Sequence, residues 1–117
     1  MKHSRIRGKF HRETGQRTAF TRSLAEALIL RERVLTTESR AKALRPIVEK
    51  LVTRAKTGTV AARREIAMSL GGRPATVKKL VDDLAPRFKD RKGGYTRITK
   101  VFKKRSDGAP SAVIEFV

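Results

Sequence analysis

The chain contains no cysteine and no tryptophan, and histidine occurs only as His3 and His11. Without thiols, disulfides and thiolate metal sites are excluded. Two histidines beside one terminus, with no third or fourth ligand at suitable spacing, make a poor zinc site. No metal and no cofactor is therefore expected. Acids are scarce as well, 11 against 29 lysines and arginines, for a net charge of +18. Aromatics are thin at 5%, whereas the 38% hydrophobic fraction of 117 residues suffices for one modest core. No apolar run approaches membrane-spanning length, and the basic start lacks the apolar stretch of a secretion signal. These absences lead to the expectation of a cytoplasmic (or organelle-matrix) protein with no membrane partner.

Catalytic constellations are missing too. His3 and His11 lie where nothing would hold a base at hydrogen-bond distance from a nucleophile. Asp82-Asp83 reads as a solvated helix face in preference to a paired-carboxylate metal site. Gly71-Gly72 and Gly93-Gly94 lack the Gly-Lys-Ser/Thr continuation of a phosphate-binding loop, so they are turns. The expectation is a non-enzyme with no small-molecule substrate.

What the chain does have is positive charge, unevenly placed. Residues 1–22 carry seven basic side chains against Glu13 alone, and residues 87–105 carry nine against Asp90 alone. Such one-signed segments repel themselves unless a polyanion neutralises them. In the first, Lys2, Arg5, Arg7, Lys9, Arg12, Arg17 and Arg22 alternate with His3 and His11, and few apolar residues are present. That composition cannot offset its own ordering entropy, so residues 1–17 read as an extended basic arm that takes shape on a polyanion. Residues 18–117 read as a single domain. In the second, Arg87, Arg91 and Lys92 precede Gly93-Gly94-Tyr95, with Arg97 just beyond and Lys103-Lys104-Arg105 further on. Paired glycines let the backbone approach a phosphate and Arg97 can fork onto it. Tyr95 either stacks on a base or sugar or is core.

Periodicity gives the frame. Phe20, Leu24, Ala27 and Leu28 recur at helical spacing from about Thr18 to Arg31, with a start that reaches back towards Thr14. Val34 to Thr37 is a short β-branched strand, and Thr37 can cap the helix that follows. Leu44, Ile47, Val48, Leu51, Val52 and Ala55 line one face of that helix. Pro46 inside it predicts a kink or a second start. Thr59 caps a third helix, whose stripe is Val60, Ala62, Ile66, Ala67 and Leu70 and whose stop is Gly71-Gly72. Pro74 opens a fourth, reaching Pro86. Tyr95 to Phe102 and Ala112 to Val117 read as strands of an antiparallel hairpin. The fold class is α+β: about four helices on one face of a small three-stranded sheet that includes the C-terminal hairpin.

The turn Leu70-Gly71-Gly72-Arg73-Pro74 loosely suggests a helix-turn-helix, and a nucleoid-type DNA binder is the alternative function; an enzyme acting on RNA is a further one. Yet the helix after the turn sets Lys78 and Lys79 beside Asp82 and Asp83, an unsuitable charge pattern for entering a groove. A flexible arm and a basic loop suit irregular folded RNA better.

Several ordered motifs resemble one known family, the bacterial large-subunit ribosomal protein seventeen. They are Val34-Leu35-Thr36-Thr37, Arg40-Ala41-Lys42, Leu51-Val52-Thr53, Ala55-Lys56, Pro86-Arg87-Phe88, Gly93-Gly94-Tyr95-Thr96-Arg97-Ile98, Ala109-Pro110 and Ile114-Glu115. Met1-Lys2-His3 and Arg17-Thr18-Ala19 resemble the start of that family, while Lys2, Gln16 and Val34 depart from the residues usual there. The resemblance implies a structural constituent of the large subunit, monomeric within the ribosome. It implies binding to large-subunit ribosomal RNA near the outer side of the exit tunnel, beside other ribosomal proteins, notably number thirty-two.

Overall fold

The computed structural model of the chain describes residues 14–101 and 110–117. Helix α1 spans Thr14–Arg31 and ends where Glu32 turns left-handed, at φ 68°, with its amide donating to the Leu28 carbonyl at 2.7 Å. A non-glycine residue there is unusual, and its side chain is held by ion pairs described below. The helix thus includes the last four residues expected to be arm; residues 1–13 lie outside the described residues. Strand β1, Arg33–Thr37, runs directly into helix α2, Glu38–Ala55. Thr37 caps α2 through a bond from the Arg40 amide to its hydroxyl, 3.3 Å. α2 continues through Pro46 without a second start. Pro46 lies on the exposed side, where water can satisfy the Lys42 carbonyl that proline leaves without a donor.

Helix α3, Val60–Ser69, is capped by the Thr59 hydroxyl, which accepts from the Ala62 amide at 3.1 Å. It ends in a Schellman turn: Gly72 donates to Ala67 (2.6 Å) and Gly71 to Met68 (3.5 Å). Both glycines have φ near +80°, a conformation that costs other residues strain. The fourth helical run is not uniform. It comprises α4, Pro74–Lys78, a π-helical segment, Lys79–Leu84, and α5, Ala85–Arg87. The wide turn sits just before Pro86, whose ring would crowd the Asp82 carbonyl in a regular helix.

Strands β2, Thr96–Val101, and β3, Ser111–Phe116, pair antiparallel, and β1 pairs antiparallel with β3 on its other side, for the order β1-β3-β2. Ile114 stands opposite both Val34 and Ile98 in the register. Alternate β3 residues Ala112, Ile114 and Phe116 are buried under the helices, whereas Leu35 on the opposite face is 62% exposed. The expected α+β architecture is therefore present, with one core between α1, α2, the fourth helical run and the sheet. The apolar stripes are narrower than their periodicity suggested: Ile47 and Val60 are 40% and 65% exposed.

Candidate nucleic-acid interface

Ion pairing decides which cations face outward ready for a polyanion. Glu32, at the end of α1, receives a bidentate fork from Arg87 (Nη1–Oε1 2.6 Å, Nη2–Oε2 3.1 Å) and a bond from Lys79 (2.7 Å). The Arg87 hydrogen bonds and then that of Lys79 lower its pKa from 4.5 to about 2. Asp83 joins the same network through Lys79 (2.8 Å) and Arg87 (3.3 Å). Asp82 binds Lys78 (3.1 Å) and Arg63 (2.5 Å). The Asp82-Asp83 pair is thus held by four cations, and among the described residues no group of His, Cys, Asp or Glu could hold a metal. Arg87, expected to face RNA, has its guanidinium committed to Glu32 and Asp83. Arg97 binds Glu115 across the outer sheet face at 2.7 Å, and that hydrogen bond lowers the Glu115 pKa.

Glu49, on α2, holds the glycine turn. Its two oxygens accept from the Gly94 amide (3.2 Å), the Thr96 amide (3.0 Å) and the Thr96 hydroxyl (2.8 Å). From the other side, Lys56 Nζ donates to the Arg91 carbonyl and to the Tyr95 hydroxyl, the latter at 3.1 Å. Arg91 closes the turn with a bond to the Gly94 carbonyl at 3.3 Å. Gly94 has φ 62°, which favours glycine, and a Cβ on Gly93 would meet nothing within 4 Å. The backbone at Gly93 is thus open to an approaching ligand.

Tyr95 presents almost no surface to such a ligand. It is 1% exposed, its ring centroid is 5.3 Å from that of Phe88, and its hydroxyl shares a hydrogen bond with Thr53 Oγ1 at 3.3 Å. The Thr53 and Lys56 hydrogen bonds to the phenolate lower its pKa. Of the two readings of Tyr95, the stacked one is therefore corrected: the ring is core, packed on Phe88, which in turn lies 6.0 Å from Phe116.

Around the turn gather cations without an acidic partner. Lys50 and Lys92 are exposed and, among the described residues, make no ion pair; the same holds for Lys89, which lies in a separate depression. Lys50 and Lys92 line a cleft of about 430 Å³ between α2 and the turn, together with Arg54, Thr53 and Thr57. Arg54 forms an ion pair with Glu65. The α2 wall was missed in the sequence, although Lys50, Thr53, Arg54 and Thr57 repeat at the spacing of one helix face. Of the other expected site residues, Arg22 is exposed. The arm residues Lys2 to Arg12, the Arg17 side chain and Lys103-Lys104-Arg105 lie outside the described residues.

A family model described as ribosomal protein L17 matches residues 20–117. The chain belongs to that family. A protein named large ribosomal subunit protein bL17 from Shouchella clausii is 50% identical, over 93% of this chain and 97% of its own length. One of the same name from Exiguobacterium sp. is 48% identical with the same coverage. Another, from Sphingopyxis alaskensis, is 50% identical over all of this chain and 84% of its own length. Family membership thus takes in α2, the glycine turn and the sheet. Residues 1–19 precede the matched span of the family model, but the last of these relatives aligns with them too.

Proposed function

We propose that this protein is a non-catalytic structural constituent of the large ribosomal subunit that binds large-subunit ribosomal RNA. The observation that carries the reading is the arrangement of charge on a chain of this family. Of the nine acids among the described residues only Asp90 lacks a cation within 4.0 Å, while Lys50, Lys89 and Lys92 around the glycine turn have no acid. The excess therefore faces solvent, where a phosphate backbone can neutralise it.

The primary contacts are the basic segment 1–17, whose last four residues open α1, with Arg22 after it, and the turn Arg91-Lys92-Gly93-Gly94. Lys103, Lys104 and Arg105 add a third cluster. Arg87 and Arg97 contribute less, since each already holds an acid. Neighbouring ribosomal proteins, number thirty-two among them, complete its surroundings in the ribosome, where it works as a monomer without cofactor.

The competing nucleoid-type reading predicts equal affinity for duplex DNA. Sedimentation of tagged protein from lysate through a high-salt cushion tests the difference. Co-migration with the large subunit supports the ribosomal role; recovery with chromosomal DNA instead would refute it.

A further inference from the structure

The cleft between α2 and the glycine turn has cations on both walls: Lys50 and Arg54 on the helix, Lys92 on the turn. At about 430 Å³ it falls in the range of ~300–1,000 Å³ that holds a small organic group. We propose that it receives one unstacked nucleotide of single-stranded RNA, with the flanking phosphates on Lys50 and Lys92. The assignment rests on the RNA-binding reading above and specifies which form of RNA this site takes.

Four observations support it. Among the described residues, Lys50 and Lys92 have no acidic partner to displace. Glu49, which lines the cleft, has both oxygens turned to the amides and hydroxyl of the turn, and Arg45 Nε at 3.8 Å from Oε2 offsets its charge. The Thr57 hydroxyl donates to the Arg54 carbonyl at 2.9 Å, which leaves its lone pairs to accept from a ribose 2′-hydroxyl or a base N–H. The turn wall is held in place before binding, by Glu49 on one side and Lys56 on the other, so little ordering entropy opposes entry. The negative end of the α2 dipole lies at the same end of the cleft, and Arg54 and Lys56 offset it. Tyr95 also lines the cleft but is only 1% exposed, so it offers little ring surface for stacking. Recognition runs through phosphate and hydroxyl groups, with weak base preference. A base paired in a duplex would have to leave its stack to enter the cleft, which favours a single strand.

The test uses the full chain and its double variant Lys50→Ala with Lys92→Ala, beside the control Arg31→Ala with Arg64→Ala. All four side chains are exposed and none makes an ion pair among the described residues, so thermal melts should match the parent. The probes are a ten-nucleotide oligouridylate with a central 4-thiouridine, the same strand annealed to oligoadenylate, and protein-free large-subunit ribosomal RNA. The single strand is expected to photocrosslink to residues 50–57 or 92–93, with loss of that crosslink in the double variant and retention in the control. On ribosomal RNA the double variant should lower the salt slope by about 1.4, at ~0.7 per single-strand phosphate. Three results would overturn the assignment alone: a parent that binds ribosomal RNA with a slope insensitive to the double variant, a duplex that crosslinks there as well as the strand, or crosslinks in assembled subunits that run to an acidic protein segment. A parent that does not bind ribosomal RNA at all would overturn the assignment and the RNA-binding reading together.

Discussion

Tyr95→Ala removes a ring that is 1% exposed, packed on Phe88 and tied through its hydroxyl to Thr53 and Lys56. Truncating a core aromatic to alanine costs ~3–5 kcal/mol, through lost apolar burial and the cavity left behind. The two hydroxyl bonds add little, because Thr53 and Lys56 are near enough to the surface to regain water. Urea denaturation should therefore show a stability loss of about 3–5 kcal/mol, a large part of what a domain of this size has. Tyr95→Phe keeps the ring and removes only the hydroxyl bonds, for about 1 kcal/mol. Filter binding to large-subunit RNA below the melting temperature should give the Tyr95→Phe variant and the parent nearly equal affinity. The reasoning is refuted if Tyr95→Ala denatures within 1 kcal/mol of the parent while its RNA affinity falls by ~1–3 kcal/mol, the signature of a ring stacked on a base.

Glu32→Gln tests the network that joins α1 to the fourth helical run. The fall of the Glu32 pKa from 4.5 to about 2 would be worth ~3 kcal/mol in full, but with 35% of the side chain open to water ~1–2 kcal/mol is expected at pH 7. Since the folded pKa is the lower one, this stabilisation is present above about 4.5 and is lost as pH falls towards 2; acid titration of the variant should be flatter over that window. Glu49→Ala leaves the Gly94 and Thr96 amides without an acceptor, so their hydrogen exchange should accelerate at least tenfold while Ile114 exchanges as before. Unchanged exchange at Gly94 would show that Glu49 does not hold the turn. Gly72→Ala places a Cβ at φ 80° with space around it, so a cost of about 1 kcal/mol should come from backbone strain alone. Deleting residues 2–12 removes five of the arm's cations and none of the described core, so the melting temperature should hold while RNA affinity drops; a truncated chain that melts well below the parent would place the arm on the domain.

The elements legible in the sequence were those with local causes. Thr37 and Thr59 act as caps because a hydroxyl meets an amide three residues on, and Gly71-Gly72 stops α3 by adopting a backbone conformation that glycine tolerates. The alternation of Ala112, Ile114 and Phe116 predicted the buried face of β3 in the same way. What escaped depends on residues far apart along the chain. Glu32 meets Lys79 and Arg87 across separations of 47 and 55 residues, so the loss of Arg87 as a free cation was invisible. Tyr95 opens a run that reads as strand beside a basic glycine turn, and its burial depends on Phe88 and on Thr53 across 42 residues. Lys50 and Arg54 form a wall only because the fold sets the glycine turn opposite them, which no local pattern encodes.

On the proposed function, the cations of the arm and of the turn bind folded large-subunit RNA. The affinity of the intact protein for protein-free large-subunit ribosomal RNA, measured from low to high salt beside a duplex DNA of equal length, tests it most directly. With six or more phosphates engaged, the slope of log K against log salt should be about −4 or steeper, at ~0.7 to 0.9 per phosphate. The RNA should also be preferred to the DNA at every salt concentration. A slope near −2, or equal affinity for the two nucleic acids, would contradict the account.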